Sequence, residues 1–356
     1  MTEIRWYEEG KPHMRIKENK GVTWLSYQAF EQFPDIVHAF STRLGGVSQG
    51  IYSSMNLSFT RGDEDAAVHE NYRRLAEAVG FSAEDIVTSD QTHTANVRVI
   101  TEEDRGNGIT KPRPYTDVDG MVTNVPGLVL ATFYADCVPL YFVDPVHRAI
   151  GLSHSGWRGT AAKIGKVTVE KMNEEYGTDP KDIYSAIGPS ICQKCYEVSE
   201  DVILEFQKSF EKKYWDSLFY IKENGKYQLN LWEANRLIML EAGIKEEHIS
   251  MPGICTCCNP EFLFSHRASH GKEEIWEHFL EYVENNIYKI HYNKSGSSCE
   301  MEAPVLVYRL LTFSISSIIF SLLERTFSTE TSMVDDIDDT CKIFAHVCFN
   351  IIFFCE

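Results

Sequence analysis

Basic residues are scarce in this chain: 34 Lys and Arg stand against 52 Asp and Glu, a net charge of −18. Neutralising phosphates along a nucleic acid needs a basic face, so that partner class is excluded, while a small anion held by one or two arginines is not. Histidine occurs 12 times, yet no two stand as H-x-H and none begins H-x-E. The first absence excludes the histidine-built copper cluster of a multicopper oxidase. The second excludes the usual zinc signature of nucleobase deaminases. No membrane span is expected, because the apolar run 310–323 is short, is bounded by Arg309 and Glu324, and is interrupted by serine and threonine. Residues 1–9 carry acidic side chains in place of an apolar core and do not read as a secretory signal. Ten cysteines without such a signal read as reduced thiols, which makes the cytoplasm the expected location.

What is present is ordinary for a globular protein. The 356 residues are 43% hydrophobic and 24% charged, enough for one large domain or two smaller ones. The first 25 residues predict an edge hairpin. Residues 65–79 predict an amphipathic helix stopped by Gly80. Strands are expected near 96–100, 119–124, 128–134, 139–143, 148–153 and 183–188, and helices at 157–176, 199–212 and 231–242. Strands and helices alternate without one repeating βαβ period, which points to a mixed α/β layered domain. Composition changes after Gly271: residues 272–356 have a net charge of −8, leaving −10 for the rest, and hold four of the ten cysteines. The expected division is a catalytic domain at 1–272 and an atypical tail at 273–356.

Three segments carry the chemistry: Asp90-Gln91-Thr92-His93-Thr94, Ala135-Asp136-Cys137-Val138-Pro139 and Ser153-His154-Ser155-Gly156-Trp157-Arg158-Gly159. Each places a candidate metal ligand, His93, Cys137 or His154, at the end of a predicted element beside a polar neighbour. Ends of strands and starts of helices are where α/β folds gather sites. Taken singly, a buried cysteine is more often a small hydrophobe. Taken together, two imidazoles and a thiol favour zinc, with copper possible, over magnesium or calcium. Three ligands would leave a position open for water or substrate. Gln91 and Asp136 are then candidates to orient ligands or move a proton.

Other signals compete. Cys192-x-x-Cys195 and Cys255-x-x-Cys258 form a CxxC…CxxC set of the kind that holds a structural zinc, but the 59-residue gap and the extra Cys257 read better as buried thiols lining the same cleft. Gly46-Val47-Ser48-Gln49-Gly50 matches G-x-S-x-G without a helix after it, so a nucleophile elbow is not expected. Arg43, Arg158 and Arg267 stand in or beside glycine-rich loops and the candidate ligands, and are candidates to bind phosphate.

These segments, together with Thr42-Arg43-Leu44-Gly45-Gly46-Val47-Ser48, Asp119-Gly120, Ala186-Ile187-Gly188-Pro189 and Phe264-Ser265-His266-Arg267, resemble the polyphenol oxidase/laccase-domain family. Its members are described as purine nucleoside phosphorylases and, in bacteria, as peptidoglycan editing factors. The resemblance runs from about residue 20 to 272. It implies a single main domain with an α/β/β/α layered sandwich, and zinc held by His93, Cys137 and His154. It also implies phosphorolysis of adenosine, inosine and methylthioadenosine, with adenosine deamination beside it. The expected partners are a small nucleoside and phosphate, in a monomer or homodimer. Arg43 is the first choice for phosphate and Arg267 the second. The sequence departs from the family after Lys272, where a frameshift or spliced reading would account for the tail, and at Asn230, where an aspartate is common. The rival readings are a metal-free cysteine hydrolase with Cys137 as nucleophile and His154 as base, an enzyme editing peptidoglycan precursors, and a binding module with a purely structural zinc.

Overall fold

Near-continuous burial along the Val138–Asp144 strand explains how the central sheet is sandwiched. Val138, Leu140 and Phe142 face one hydrophobic cluster, while Tyr141 and Val143 face another. A strand buried on both faces has to be covered on both. The computed structural model describes residues 4–7 and 14–270. The expectations for the tail at 273–356, its apolar run included, lie outside the described residues.

The central sheet has six strands in the order Ile249–Ser250, Tyr184–Ile187, Val138–Asp144, Ala149–Ser155, Gly120–Thr123, Val97–Val99. The two outer pairs are parallel and the three inner pairs antiparallel, so the sheet is mixed. The helices Ile164–Tyr176 and Leu231–Glu241 cover one face through Ile164, Val169, Met172 and Ile238, all buried. The hairpin Met14–Asn19/Val22–Tyr27 covers the other through Met14, Leu25 and Tyr27. Behind the hairpin lies the helix Asp65–Val79, which packs Leu75 and Ala78 against Val22 and Met55. The result is the α/β/β/α layering expected. Each large side chain so buried contributes about 1.5–3 kcal/mol.

Local chemistry sets the boundaries. Gly80 ends the Asp65–Val79 helix with a φ of 103°, a conformation that costs most residues a steric clash and glycine none. Asn230 caps the Leu231–Glu241 helix, its side chain accepting the Glu233 N–H at 3.1 Å. An asparagine oxygen can cap as an aspartate does. Two expectations need correction. The helix expected at 157–176 is two, Trp157–Ala161 and Ile164–Tyr176, because Lys163 adopts a φ of 59° between them. His154, expected just past a strand end, lies within the strand Ala149–Ser155. Its position there is fixed by pairing with Pro139.

Candidate metal centre

The three candidate ligands converge. The ligand atoms of His93, Cys137 and His154 lie within 4.8 Å of one another, with the Cys137 Sγ 4.0 Å from the His93 Nε2. The two imidazole rings stand nearly perpendicular, with centroids 4.9 Å apart. His154 is buried, Cys137 half-buried and His93 exposed, so the cluster opens toward solvent on the His93 side.

Asp119 holds this arrangement. Its Oδ1 accepts the His154 Nδ1 at 2.7 Å and the His93 N–H at 3.1 Å, and its Oδ2 accepts the N–H groups of Thr92 and Thr94 at 3.0 and 2.9 Å. The first bond fixes the His154 ring and leaves its Nε2 for a metal. The others hold the loop in which His93 takes a φ of 66°. Burial pushes the Asp119 carboxyl up, but the bonds from His154 and the backbone bring it down to about 2. The signal for it was an aspartate directly before a strand, and nothing in the spacing tied it to His154.

The electrostatics suit a cation. Burial alone would raise the Cys137 thiol, yet His154 and then His93 bring it down to about 6. Burial alone would lower His154, yet Cys137 and Asp119 raise it to about 9. A thiolate and two imidazoles around one open point form a donor set that fits zinc or copper. Gly156 closes the back of the cluster. A Cβ there would meet the His93 Cδ2 at 2.9 Å and the Cys137 Sγ at 3.2 Å. Its φ of −67° and ψ of 175° would suit alanine, so only the crowding matters. Gly156→Ala is expected to lower zinc affinity about tenfold while shifting stability by less than about 1 kcal/mol. Metal titration and a thermal melt on the same protein check both halves.

With this geometry in place, known proteins decide the kinship. A family model described as multi-copper polyphenol oxidoreductase laccase matches residues 37–274. The chain belongs to that family. It is 39% identical over 263 residues to the purine nucleoside phosphorylase YlmD of Geobacillus stearothermophilus (strain DSM 13240), covering 73% of this chain and 94% of the relative. It is 35% identical over 236 residues to the adenosine deaminase RL5 of an unknown prokaryotic organism, covering 65% and 88%. The crystal structure of YlmD from Geobacillus stearothermophilus superposes with a TM-score of 0.67 at 37% identity, covering 73% of this chain and 95% of that one.

The other predicted residues of this laccase-family site are less uniform. Gln91 ties its loop to the neighbouring segment, its Oε1 accepting the Phe133 N–H at 2.7 Å and its Nε2 donating to the Phe133 carbonyl at 2.8 Å. Asp136 directs its carboxylate away from the cluster. Its Oδ1 accepts the Thr256 and Ser265 hydroxyls at 2.6 and 2.7 Å, and its Oδ2 accepts the Arg267 N–H at 2.7 Å. It therefore positions Cys137 by fixing the preceding residue. The Arg43 guanidinium donates to the Ser53 and Ile51 carbonyls at 3.0 and 3.1 Å and stacks on Phe264. The Arg267 guanidinium donates to the Cys195 and Glu197 carbonyls at 2.9 and 3.1 Å. Arg158 lies over the Trp157 ring at 4.3 Å, and among the described residues no carboxylate pairs with it.

A cleft of about 1450 Å³ reaches the cluster and includes His93, Cys137, His154, Tyr134, Phe264 and His266 in its wall. That exceeds the roughly 300–1,000 Å³ of a small-molecule pocket. Cys192, Cys195, Cys255 and Cys258 do not line it. The reading of them as thiols of the same cleft therefore fails; they gather in a cluster of their own. Among the described residues, no helix is long and apolar enough to cross a membrane.

Proposed function

We propose that this protein is a zinc-dependent purine nucleoside phosphorylase acting on adenosine, inosine and methylthioadenosine, with adenosine deaminase activity. The observation that carries the reading is the open three-ligand cluster of His93, Cys137 and His154 in the wall of a cleft. The relatives named purine nucleoside phosphorylase and adenosine deaminase support the substrate class. When bound by these three residues, zinc supplies Lewis acidity and lowers the pKa of water for attack on the amino-bearing carbon of adenine.

The chain's own part in phosphorolysis is positioning. An oxygen of hydrogen phosphate attacks the anomeric carbon, the bond from that carbon to the purine nitrogen breaks, and the purine leaves carrying on that nitrogen the proton the phosphate gives up. Holding both reactants in line removes most of the entropic barrier. Arg43, Arg158 and Arg267 are the candidates for phosphate. The guanidiniums of Arg43 and Arg267 are fastened to backbone carbonyls and that of Arg158 rests on an aromatic face, and none of the three belongs to the cleft wall. Phe264 and Tyr134 offer flat apolar surfaces for the purine and ribose. Gln91, Asp136 and Asp119 keep the loops around them in place.

Incubation of the full chain with adenosine and inorganic phosphate tests the reading, with products separated by chromatography. Ribose 1-phosphate equal to adenine and hypoxanthine together, all absent when phosphate is left out, is expected, with some inosine formed in either case. Neither purine base nor ribose 1-phosphate from a folded, zinc-loaded protein would sink the proposal. Loss of activity to a thiol-alkylating reagent but not to a chelator would shift it to the cysteine-hydrolase reading.

A further inference from the structure

The proposed reaction makes no use of the second cysteine group. Cys192, Cys195, Cys255 and Cys258 come from two loops, and Thr256 of one loop donates its N–H to the Ser190 carbonyl of the other at 3.2 Å. All four sulfurs lie within 4.8 Å of one another, and the Cys195 and Cys258 sulfurs are 3.5 Å apart. Four sulfurs around one zinc, each about 2.3 Å from it in a tetrahedron, sit about 3.8 Å from each other. The cluster is therefore close to the required size before any metal enters.

Its hydrogen bonds point the same way. The Cys195 N–H donates to the Cys192 carbonyl at 3.0 Å, which closes that C-x-x-C segment into a turn. The Cys192 N–H also donates to the Cys255 sulfur, at 3.2 Å. Cys192 and Cys255 are each 2% exposed, so a metal among them would be shielded from water. No oxygen or nitrogen ligand belongs to the group, and an all-sulfur set selects zinc over the hard cations.

We propose that Cys192, Cys195, Cys255 and Cys258 form a structural zinc site, closed by four sulfur ligands and separate from the His93/Cys137/His154 centre. It clamps two loops that reach the candidate active site. The Cys195 carbonyl accepts the Arg267 guanidinium, and Thr256, next to Cys255, holds the Asp136 carboxylate. The clamp thereby fixes the residue before Cys137 from a distance.

Metal analysis of the full chain, purified under reducing conditions, decides the matter. About two zinc ions per chain are expected, about one of which survives in Cys137→Ser. Cobalt-loaded Cys137→Ser is expected to show the strong thiolate-to-cobalt absorption of an all-sulfur tetrahedral site. Cys195→Ser should lose the second ion, while Cys257→Ser, outside the cluster, should keep it. A wild-type chain that binds one zinc and loses it in Cys137→Ser overturns the proposal. So does a Cys195–Cys258 disulfide mapped in that preparation, or cobalt-loaded Cys137→Ser without thiolate absorption.

Discussion

Cys137→Ser is expected to lose the ion at the His93/Cys137/His154 centre and nucleoside turnover together. The sulfur is the one anionic ligand of the cluster, because His154 and His93 hold the thiol near a pKa of about 6, so it is largely thiolate at neutral pH. A serine hydroxyl at the same place stays protonated and is a far poorer donor to zinc. Removing a mere supporting group around a zinc site costs about 10–100-fold in affinity, so loss of a ligand should exceed that range. The fold should survive, since Cys137 is only half-buried and its backbone belongs to a segment anchored by Asp136. Metal content, adenine release and a melting curve on the same sample check the three parts. Full turnover in a Cys137→Ser protein without metal at this centre would remove the zinc mechanism.

Asp119→Ala should have the second large effect, and it should act on folding as well as on the site. The carboxylate is fully buried and accepts bonds from His154, His93, Thr92 and Thr94. Alanine leaves those donors facing a void. Breaking a buried charged pair on one side costs about 3–5 kcal/mol. Asp119→Asn keeps the volume but presents an amide, so it should fold better and still bind zinc about 10–100-fold more weakly. The pH dependence follows from the same bonds. The Asp119 carboxyl is depressed to about 2, below its unfolded value of about 4. Its contribution to stability is thus present above about pH 4 and is lost as the pH falls through about 2. Denaturant melts of wild type and Asp119→Asn between pH 5 and pH 2 should converge as the pH drops.

Much of the site could be read before the fold was known, because each ligand lies in a short local signature. His93, Cys137 and His154 each stand in a compact segment, and the structure brings them within ligand distance. Asp119 escaped a role because its partner His154 is 35 residues away, and only the pairing of Gly120 with Ser153 brings them side by side. The structural-zinc reading of the four cysteines was set aside for a related reason. Their two halves are joined by a contact between Ser190 and Cys255, and a long gap in sequence says nothing about separation in space. For the arginines, residue type and a nearby glycine were visible, but which guanidinium is fastened to backbone depends on loop carbonyls with no pattern of their own. In the fold, runs of β-branched and aromatic residues sufficed for the strands of the central sheet, apart from the short Ile249–Ser250. The break near Lys163 did not show, because its left-handed backbone sits inside an unbroken apolar period.

The central claim is that nucleoside chemistry depends on the metal held by His93, Cys137 and His154. Its most direct test follows adenine release from adenosine and phosphate as zinc is stripped from the full chain with a chelator and returned in steps. Bound metal and protein fold are measured on each sample. The account predicts that turnover disappears with the metal and returns with it in the wild type, while Cys137→Ser regains none. Undiminished adenine release from folded protein free of metal would contradict it.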